Sequence, residues 1–440
     1  MKSNSFHKLV FAASFVLLFA SPSHAQSVSY DRYASVYQHP ARTSLRKNIA
    51  QHFLLYPFEL LRWPMDKGLI FTEEYHIDKK AQWIYDKIGE QGIIPYVNII
   101  SIGNFGAGAD VDFIRLARFK ENFPDAVVKS WIQWTHSVNF EVGSRLGFER
   151  FLDTNFRTFG TVKYQNKPEE HFYGIGPHTS AGDGTSYRIE QTTLEASAGY
   201  NWVPNFSLDG NFAFHNVNIT NGEDGGRGQV DRTFAPAVIN GLGGDEMISL
   251  GLDFNHDTRN MNENSTTGGQ ERLTFSFYEG LDDSNASFFK YTAEASRYFR
   301  LGSDRRILAF HVYGEHNDEN AGHYVPFHQM AKLGGFGSYP RSSHTLRGFD
   351  FNRFFDDSAA LLNVEYRYNI WQYRDFKVDS VIFLDEGQVF GEFSEFMFND
   401  FRESYGLGFR LIAANHIIFS LEIAHGDEGT QFYAKSSSPF

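Results

Sequence analysis

Beyond Pro95 the chain alternates apolar and polar residues with a period of two. Ile132, Trp134, His136, Val138, Phe140 and Val142 alternate with Gln133, Thr135, Ser137, Asn139 and Glu141. Phe206, Leu208, Phe212 and Phe214, then Leu273, Phe275 and Phe277, then Leu362, Val364, Tyr366, Tyr368 and Ile370 repeat the pattern. Successive side chains of a strand point to opposite faces, so each segment makes a strand with one apolar face and one polar face. Two architectures use such strands. A soluble sandwich turns the apolar face to a core and the polar face to water. A membrane barrel turns the apolar face to lipid and the polar face to a lumen. After the first 26 residues no run of 18 apolar residues exists, which excludes a spanning helix.

Other features favour the barrel. Lys2, His7 and Lys8 precede the apolar run from Leu9 to Ala20, and Ser21 to Ala25 offers a small-x-small cleavage site. Residues 1–25 therefore read as a secretory signal peptide. The chain has no Cys, which excludes disulfides, thiolate metal sites, Cys nucleophiles and a lipid anchor on Cys. The net charge of −13 argues against a nucleic-acid partner. No metal and no cofactor are expected. The scattered histidines, among them His311, His323 and His328, lack paired ligand spacing. Asp282 and Asp283 alone offer too few ligands for calcium.

Residues 26–93 differ in texture. Leu45, Ile49, Phe53 and Leu54, and later Trp83, Ile84 and Ile88, fall at helical spacing, interrupted by Pro57, Pro64 and Gly68. A short helical N-terminal segment is expected there, on the periplasmic side or as a plug. Residues 94–440 then form a 16-stranded antiparallel transmembrane β-barrel, an all-β fold. Its strands are expected near 94–103, 107–118, 129–142, 145–153, 157–169, 187–203, 205–217, 246–257, 271–279, 287–300, 305–315, 359–371, 376–390, 403–412, 415–425 and 430–440. Short connections mostly follow even strands and long ones follow odd strands. Outer-membrane barrels have short periplasmic turns and long external loops, so both termini are expected in the periplasm.

The longest connection, 316–358, is too long for a mere turn. It contains Leu333-Gly334-Gly335 and then Leu346-Arg347-Gly348-Phe349. Asn363-Val364-Glu365-Tyr366-Arg367 and Phe383-Leu384-Asp385-Glu386-Gly387 follow. Strand parity points Glu365 and Asp385 inward, opposite Leu362, Val364 and Tyr366 in one strand and Ile382 and Leu384 in the other. Inward acids avoid the cost of charge in lipid and can receive a guanidinium bidentately. Gly348 permits a tight turn, and Gly387 leaves room on the wall.

This series resembles the BamA/TamA superfamily of outer-membrane barrels, the bacterial surface antigen type. That family carries an arginine-glycine tip on its sixth external loop and F-x-D-x-G on its thirteenth strand. Phe172-Tyr173-Gly174-Ile175-Gly176 is similar to a further family loop, and Asp257-Thr258-Arg259 to a family turn, although Asn260 replaces the acid there. The resemblance implies that the tip Leu346, Arg347, Gly348 and Phe349 folds back into the lumen. There Arg347 would pair with Asp385 and Glu365, beside the wall motif residues Phe383 and Gly387. It implies that Phe440 is a C-terminal aromatic read by the outer-membrane assembly machinery. It also implies the outer membrane as location, with outer-membrane lipids and client polypeptides as partners.

Family members that assemble or translocate proteins carry POTRA domains, which mix strands with helices. Residues 26–93 read as helical, so the barrel is expected without them. Three functions stay open. One is assistance of protein insertion or translocation. The second is a structural or pore-forming surface barrel plugged by the sixth loop. The third is an outer-membrane enzyme, although no G-x-S-x-G, Walker or H-E-x-x-H motif exists and a non-enzymatic protein is expected.

Overall fold

The computed structural model describes residues 91–101, 104–117, 122–135, 139–234, 239–281, 285–336, 344–373, 376–398, 400–413 and 416–440. The expected signal peptide, nearly all of the expected helical segment 26–93, and the Asp282-Asp283 pair lie outside them. Among the described residues the chain is all-β, with one antiparallel meander.

The strands are β1 (Ile93–Ser101), β2 (Asn104–Asp112), β3 (Ala126–Thr135), β4 (Phe140–Phe148), β5 (Phe156–Phe172), β6 (Thr185–Val203), β7 (Phe206–Asn221), β8 (Gly228–Gln229), β9 (Gly244–Asp257) and β10 (Gly268–Gly280). They continue as β11 (Ser287–Arg300), β12 (Arg306–Glu319), β13 (Ala331–Leu333), β14 (Phe354–Asp356), β15 (Ser358–Tyr373), β16 (Phe376–Phe390), β17 (Arg402–Ala413), β18 (His416–Gly426) and β19 (Gly429–Lys435). β13 and β14 form a separate hairpin inside the loop that follows β12. The other seventeen share one sheet. Its two-residue member β8 pairs parallel with the start of β6 and was not foreseen. Each of the other sixteen overlaps an expected strand.

Several boundaries move for local reasons. β2 stops at Asp112, whose carboxylate accepts from the Ile114 and Arg115 backbone N–H groups and caps a one-turn helix, Phe113–Leu116. The expected strand 129–142 is split between β3 and β4. Trp134 and Phe140 are cross-strand partners, and a four-residue connection leaves the parity unchanged. The sequence alternation therefore runs on from β3 to β4 as if they were one strand. The last strand, expected to reach residue 440, ends at Lys435. The serines that follow carry no alternation, and Pro439 lacks a ladder donor.

The two faces of the sheet are inverted relative to a water-soluble fold. Exposed on one face are Leu250, Leu252, Phe254, Leu273, Tyr405, Leu407 and Phe432, and Ile382 is 63% exposed. Buried on the other are Asn363, Glu365, Arg367, Asp385, Arg410 and Glu422. An apolar outside and a charged inside suit a wall with lipid on its outer face. Among the described residues no helix is long and apolar enough to cross a membrane.

The sheet curls, because residues far apart along the meander touch. Asn264, in the turn after β9, donates to Asp379 of β16 over 3.2 Å, and its neighbour Glu263 accepts from the Ile417 N–H of β18. Phe440, beyond β19, stacks on His311 of β12 at 5.1 Å. Opposite the Asn264 turn, Phe172, Tyr187, Ile219, Val230, Phe327 and Phe355 form an apolar cap from the ends of β5, β6 and β7 and the loops after β7 and β12.

Candidate functional site on the inner face

The loop between β12 and β15 enters the curled sheet as the β13–β14 hairpin. The Gly334 N–H donates to the His344 carbonyl at 3.0 Å, and Gly335 bridges Leu346. The hairpin brings Leu346, Arg347, Gly348 and Phe349 to the inner face, all buried. Leu346 and Phe349 pack with Leu333, Phe354, Leu361 and Val389 into an apolar cluster against β15 and β16. Gly387 makes that contact possible. A Cβ there would stand 3.0 Å from Leu333 Cδ1 and 3.3 Å from Leu346 Cδ2. Gly387→Leu should therefore push the hairpin off the wall. We expect about 1–3 kcal/mol of destabilisation, the range for overpacking, read as faster cutting of the loop by external protease.

Gly348 turns the chain at φ +91°, and a Cβ would lie 2.9 Å from both the Gly426 nitrogen and Ser404 Cβ. Such a conformation disfavours any other residue. Tyr433 of β19 closes the turn. Its hydroxyl accepts from the Gly348 N–H and donates to the Phe349 carbonyl, both at 3.1 Å.

Arg347 is fully buried among three carboxylates. Its Nε and Nη2 each donate to Asp385 at 2.7 Å, a bidentate fork, and its backbone N–H adds a bond at 3.1 Å. Its Nη1 donates to Glu365 at 2.7 Å and to Glu422 at 2.8 Å. The guanidinium lies 3.4 Å from the centroid of the Phe383 ring. That ring in turn covers Gly406 of the neighbouring strand, where a Cβ would come within 2.3 Å of it. Phe383 thus fills the space over a glycine and supplies the floor on which the arginine lies.

The geometry brings together Arg347, Asp385, Glu365, Phe383 and Gly387. Sequence reasoning missed the rest of the cluster. Arg410 donates twice to Glu365, at 2.8 and 2.9 Å, and to Glu422 at 2.7 and 3.0 Å. Arg367 Nε donates to Glu365 at 2.7 Å, and Ser420 Oγ donates to Glu422 at 3.0 Å. Asn363 donates to Asp385 and to the Thr345 carbonyl, both at 2.8 Å. Three guanidiniums therefore face three carboxylates away from water, which compensates buried charge that would otherwise be costly. A signal for Arg410 and Glu422 existed. Both are charges in mid-strand, on the parity opposite Leu407 and Leu421.

Phe440 lies elsewhere than a strand-end aromatic would. It is buried with Tyr298, Ile307 and Ala309 on the inner face, and its carbonyl accepts from Arg367 Nη2 at 3.4 Å. Phe172 belongs to the apolar cap, and Tyr173 next to it in the chain is buried. Tyr173 donates to Asp350 at 2.7 Å, and the Gly176 N–H donates to the Phe355 carbonyl at 2.8 Å. Asp257 and Arg259 pair with each other at 2.7 Å.

At the end of β14 and just before β15, Asp356 and Asp357 are adjacent. Burial, then Asp356 and Glu319, push the Asp357 carboxyl up to about 7. Burial, with Glu395 adding, pushes Asp356 up to about 6, against a lowering from the Asp357 N–H bond. Both native values lie above the ordinary aspartate value near 4, so the folded form holds these protons more tightly. Their contribution to stability is complete below about pH 4 and is lost as pH rises through about 6 to 7. Proteolysis of this loop should be slower at pH 5 than at pH 8. Asp357→Asn should remove most of that difference.

Elsewhere, Ser249 Oγ lies 2.9 Å from His215 Nε2, but His215 Nδ1 is buried without a partner, so no acid completes a triad. Among the described residues no group of three or more His, Asp or Glu is placed to hold a metal ion.

Comparison with known proteins agrees with this geometry. BamA from Haemophilus ducreyi lacking POTRA domains 1–3 superposes with a TM-score of 0.56 at 14% identity, covering 78% of this chain and 70% of that one. CdiB from Escherichia coli gives 0.51 at 13% identity, covering 78% of this chain and 62% of that one, so the chain spans less than two thirds of CdiB. No curated protein sequence matches. The Omp85 superfamily domain matches residues 132–434, and the chain belongs to the Omp85 superfamily of outer-membrane β-barrels.

Proposed function

We propose that the sheet closes as a sixteen-stranded transmembrane barrel with both termini in the periplasm, and that it assists insertion or translocation of polypeptide at the outer membrane. Residues 1–25 act as the signal peptide, and residues 26–93 as a helical periplasmic segment in place of POTRA domains. Outer-membrane lipids, the assembly machinery and client chains are its partners in this reading, and it is not an enzyme. One observation carries it. The inner face beside β15–β19 is covered by a loop tip hydrogen-bonded to β15, β16, β18 and β19, which leaves the wall and its last seam as the place to act on a client. The last strand is short: β19 is paired with β18 over only seven residues, Gly429 to Lys435.

A second reading, a conducting pore, is favoured by the opposite half of the inner face. There Lys163, Gln165 and Glu195 are only partly buried, and the Arg272 side chain is 48% exposed, so water reaches that side. Site-specific photocrosslinking in cells separates the two. A photoreactive residue at Phe432, on the outer face of β19, should capture newly made outer-membrane polypeptides. One at Leu252, on the far wall, should not. Equal capture at both sites, or none at either alongside stable conductance in planar bilayers, would overturn the assisting role in favour of the pore.

A further inference from the structure

The loop after β16 does not arch over the mouth of the curled sheet. It folds back over the outer face. Tyr291, His316, Ser358 and Phe390 stand in one row across β11, β12, β15 and β16. They have the parity of Ile382, so the row belongs to the outer face. From Gly391 the chain turns back along this row. Ser358 Oγ donates to the Gly391 carbonyl at 3.0 Å, and the Phe393 ring lies 4.4 Å from that of His316, two strands away. Phe390 meets Phe393 at 6.1 Å and Phe396 at 5.4 Å. The Met397 N–H donates to Gln388 Oε1 at 3.4 Å.

The loop covers a polar interruption in an apolar wall. Along the outer face of β16, Ile382 and Leu384 are followed by Glu386 and Gln388. These two are only 2% exposed. Above them the loop presents Phe393, 69% exposed, and Met397, 50% exposed, and the Phe396 and Phe398 rings meet edge to face at 5.1 Å. A polar stretch of wall is thereby replaced by an apolar, aromatic surface that continues the exposed row of Ile382, Tyr405 and Leu407. Glu392 and Glu395 are exposed on the same turn, where Glu395 bonds the Gly391 and Glu392 N–H groups. Aromatic side chains beside acids suit the boundary between headgroups and acyl chains, not the bilayer centre.

We propose that residues 391–398 are a lipid-contacting flap, resting in the outer leaflet through Phe393 and Met397 and extending the apolar band over Glu386 and Gln388. The proposal rests on the outer face of the sheet meeting lipid, and its test separates the two claims. The chain has no Cys, so single substitutions carry a spin label cleanly. Phe393→Cys, Met397→Cys, Ile382→Cys and Asp427→Cys would each be labelled in the full chain and placed in phosphatidylcholine–phosphatidylglycerol vesicles. Accessibility to oxygen, which favours lipid, is compared with accessibility to a water-soluble nickel chelate.

Ile382→Cys should favour oxygen and Asp427→Cys the chelate. Labels at 393 and 397 should favour oxygen severalfold over the Asp427 site, at a shallower depth than 382. If 393 and 397 match Asp427 while 382 is in lipid, the flap is overturned. Shielding of 393 and 397 from both reagents would mean protein covers them, which overturns it too. If 382 itself favours the chelate, the lipid-facing wall fails, and the flap with it. Both loop side chains are exposed, so their replacement should leave the gel-shifted folded form intact; either site alone decides the outcome.

Discussion

Arg347→Met should release the loop tip and lower the midpoint of heat modification by several degrees. Three guanidiniums and three carboxylates balance in a dry cluster. Removing one guanidinium leaves a net negative charge there, and breaking a buried pair from one side costs about 3–5 kcal/mol. The midpoint moves by roughly 2–4 °C per kcal/mol for 150–250 residues and by about half that for a longer chain such as this one, so the shift is roughly 3–10 °C. Arg347→Glu should be worse, since it adds a fourth acid. External protease should cut the loop faster in both. Arg347→Lys should rescue only part, because an ammonium cannot offer the fork that Asp385 receives while also reaching Glu365 and Glu422. A wild-type midpoint and wild-type protease resistance in Arg347→Met would show that the pair does not anchor the loop.

Glu365→Gln should destabilise the wall as much as Arg347→Met but free the loop less. Glu365 accepts one bond from Arg347, two from Arg410 and one from Arg367. Its neutralisation strands positive charge on β15 and β17, while the fork between Arg347 and Asp385 remains. The midpoint should fall by about 3–5 kcal/mol equivalent, with a smaller rise in loop cleavage. The double variant Arg347→Met with Glu365→Gln leaves two guanidiniums facing two acids. Its loss should be clearly smaller than the sum of the single losses, as neighbours in one network are not additive. Simple addition would mean that the two residues act independently.

Most of the sheet was legible because a period of two survives wherever one face meets a uniform surface. Glu365 and Asp385 could be placed inward by parity alone. Their joining by Arg347 could not, since it depends on a loop returning from outside; only the resemblance supplied it. Arg410 and Glu422 are equally central, but nothing local sets them apart from any inward charge. The β3–β4 boundary was hidden because the four residues between the strands preserve parity. Phe440 was placed at the end of the last strand, where the resemblance implied an aromatic read by the assembly machinery. The inward fold of residues 436–440 is set by contacts with β11, β12 and β15, which leave no periodic trace. The outer loop after β16 was likewise only a long connection in the sequence. Its aromatic residues acquire meaning from the row they cover.

Thiol labelling at Leu346 shows whether the loop tip sits inside the sheet and is held there by charge. In the Cys-free chain, Leu346→Cys and the exposed loop position Phe351→Cys would each meet a maleimide in the purified, folded protein. The account predicts rapid labelling at 351, almost none at 346, and rapid labelling at 346 once Arg347→Met is added. Equal labelling at 346 and 351 in the otherwise native chain would contradict it.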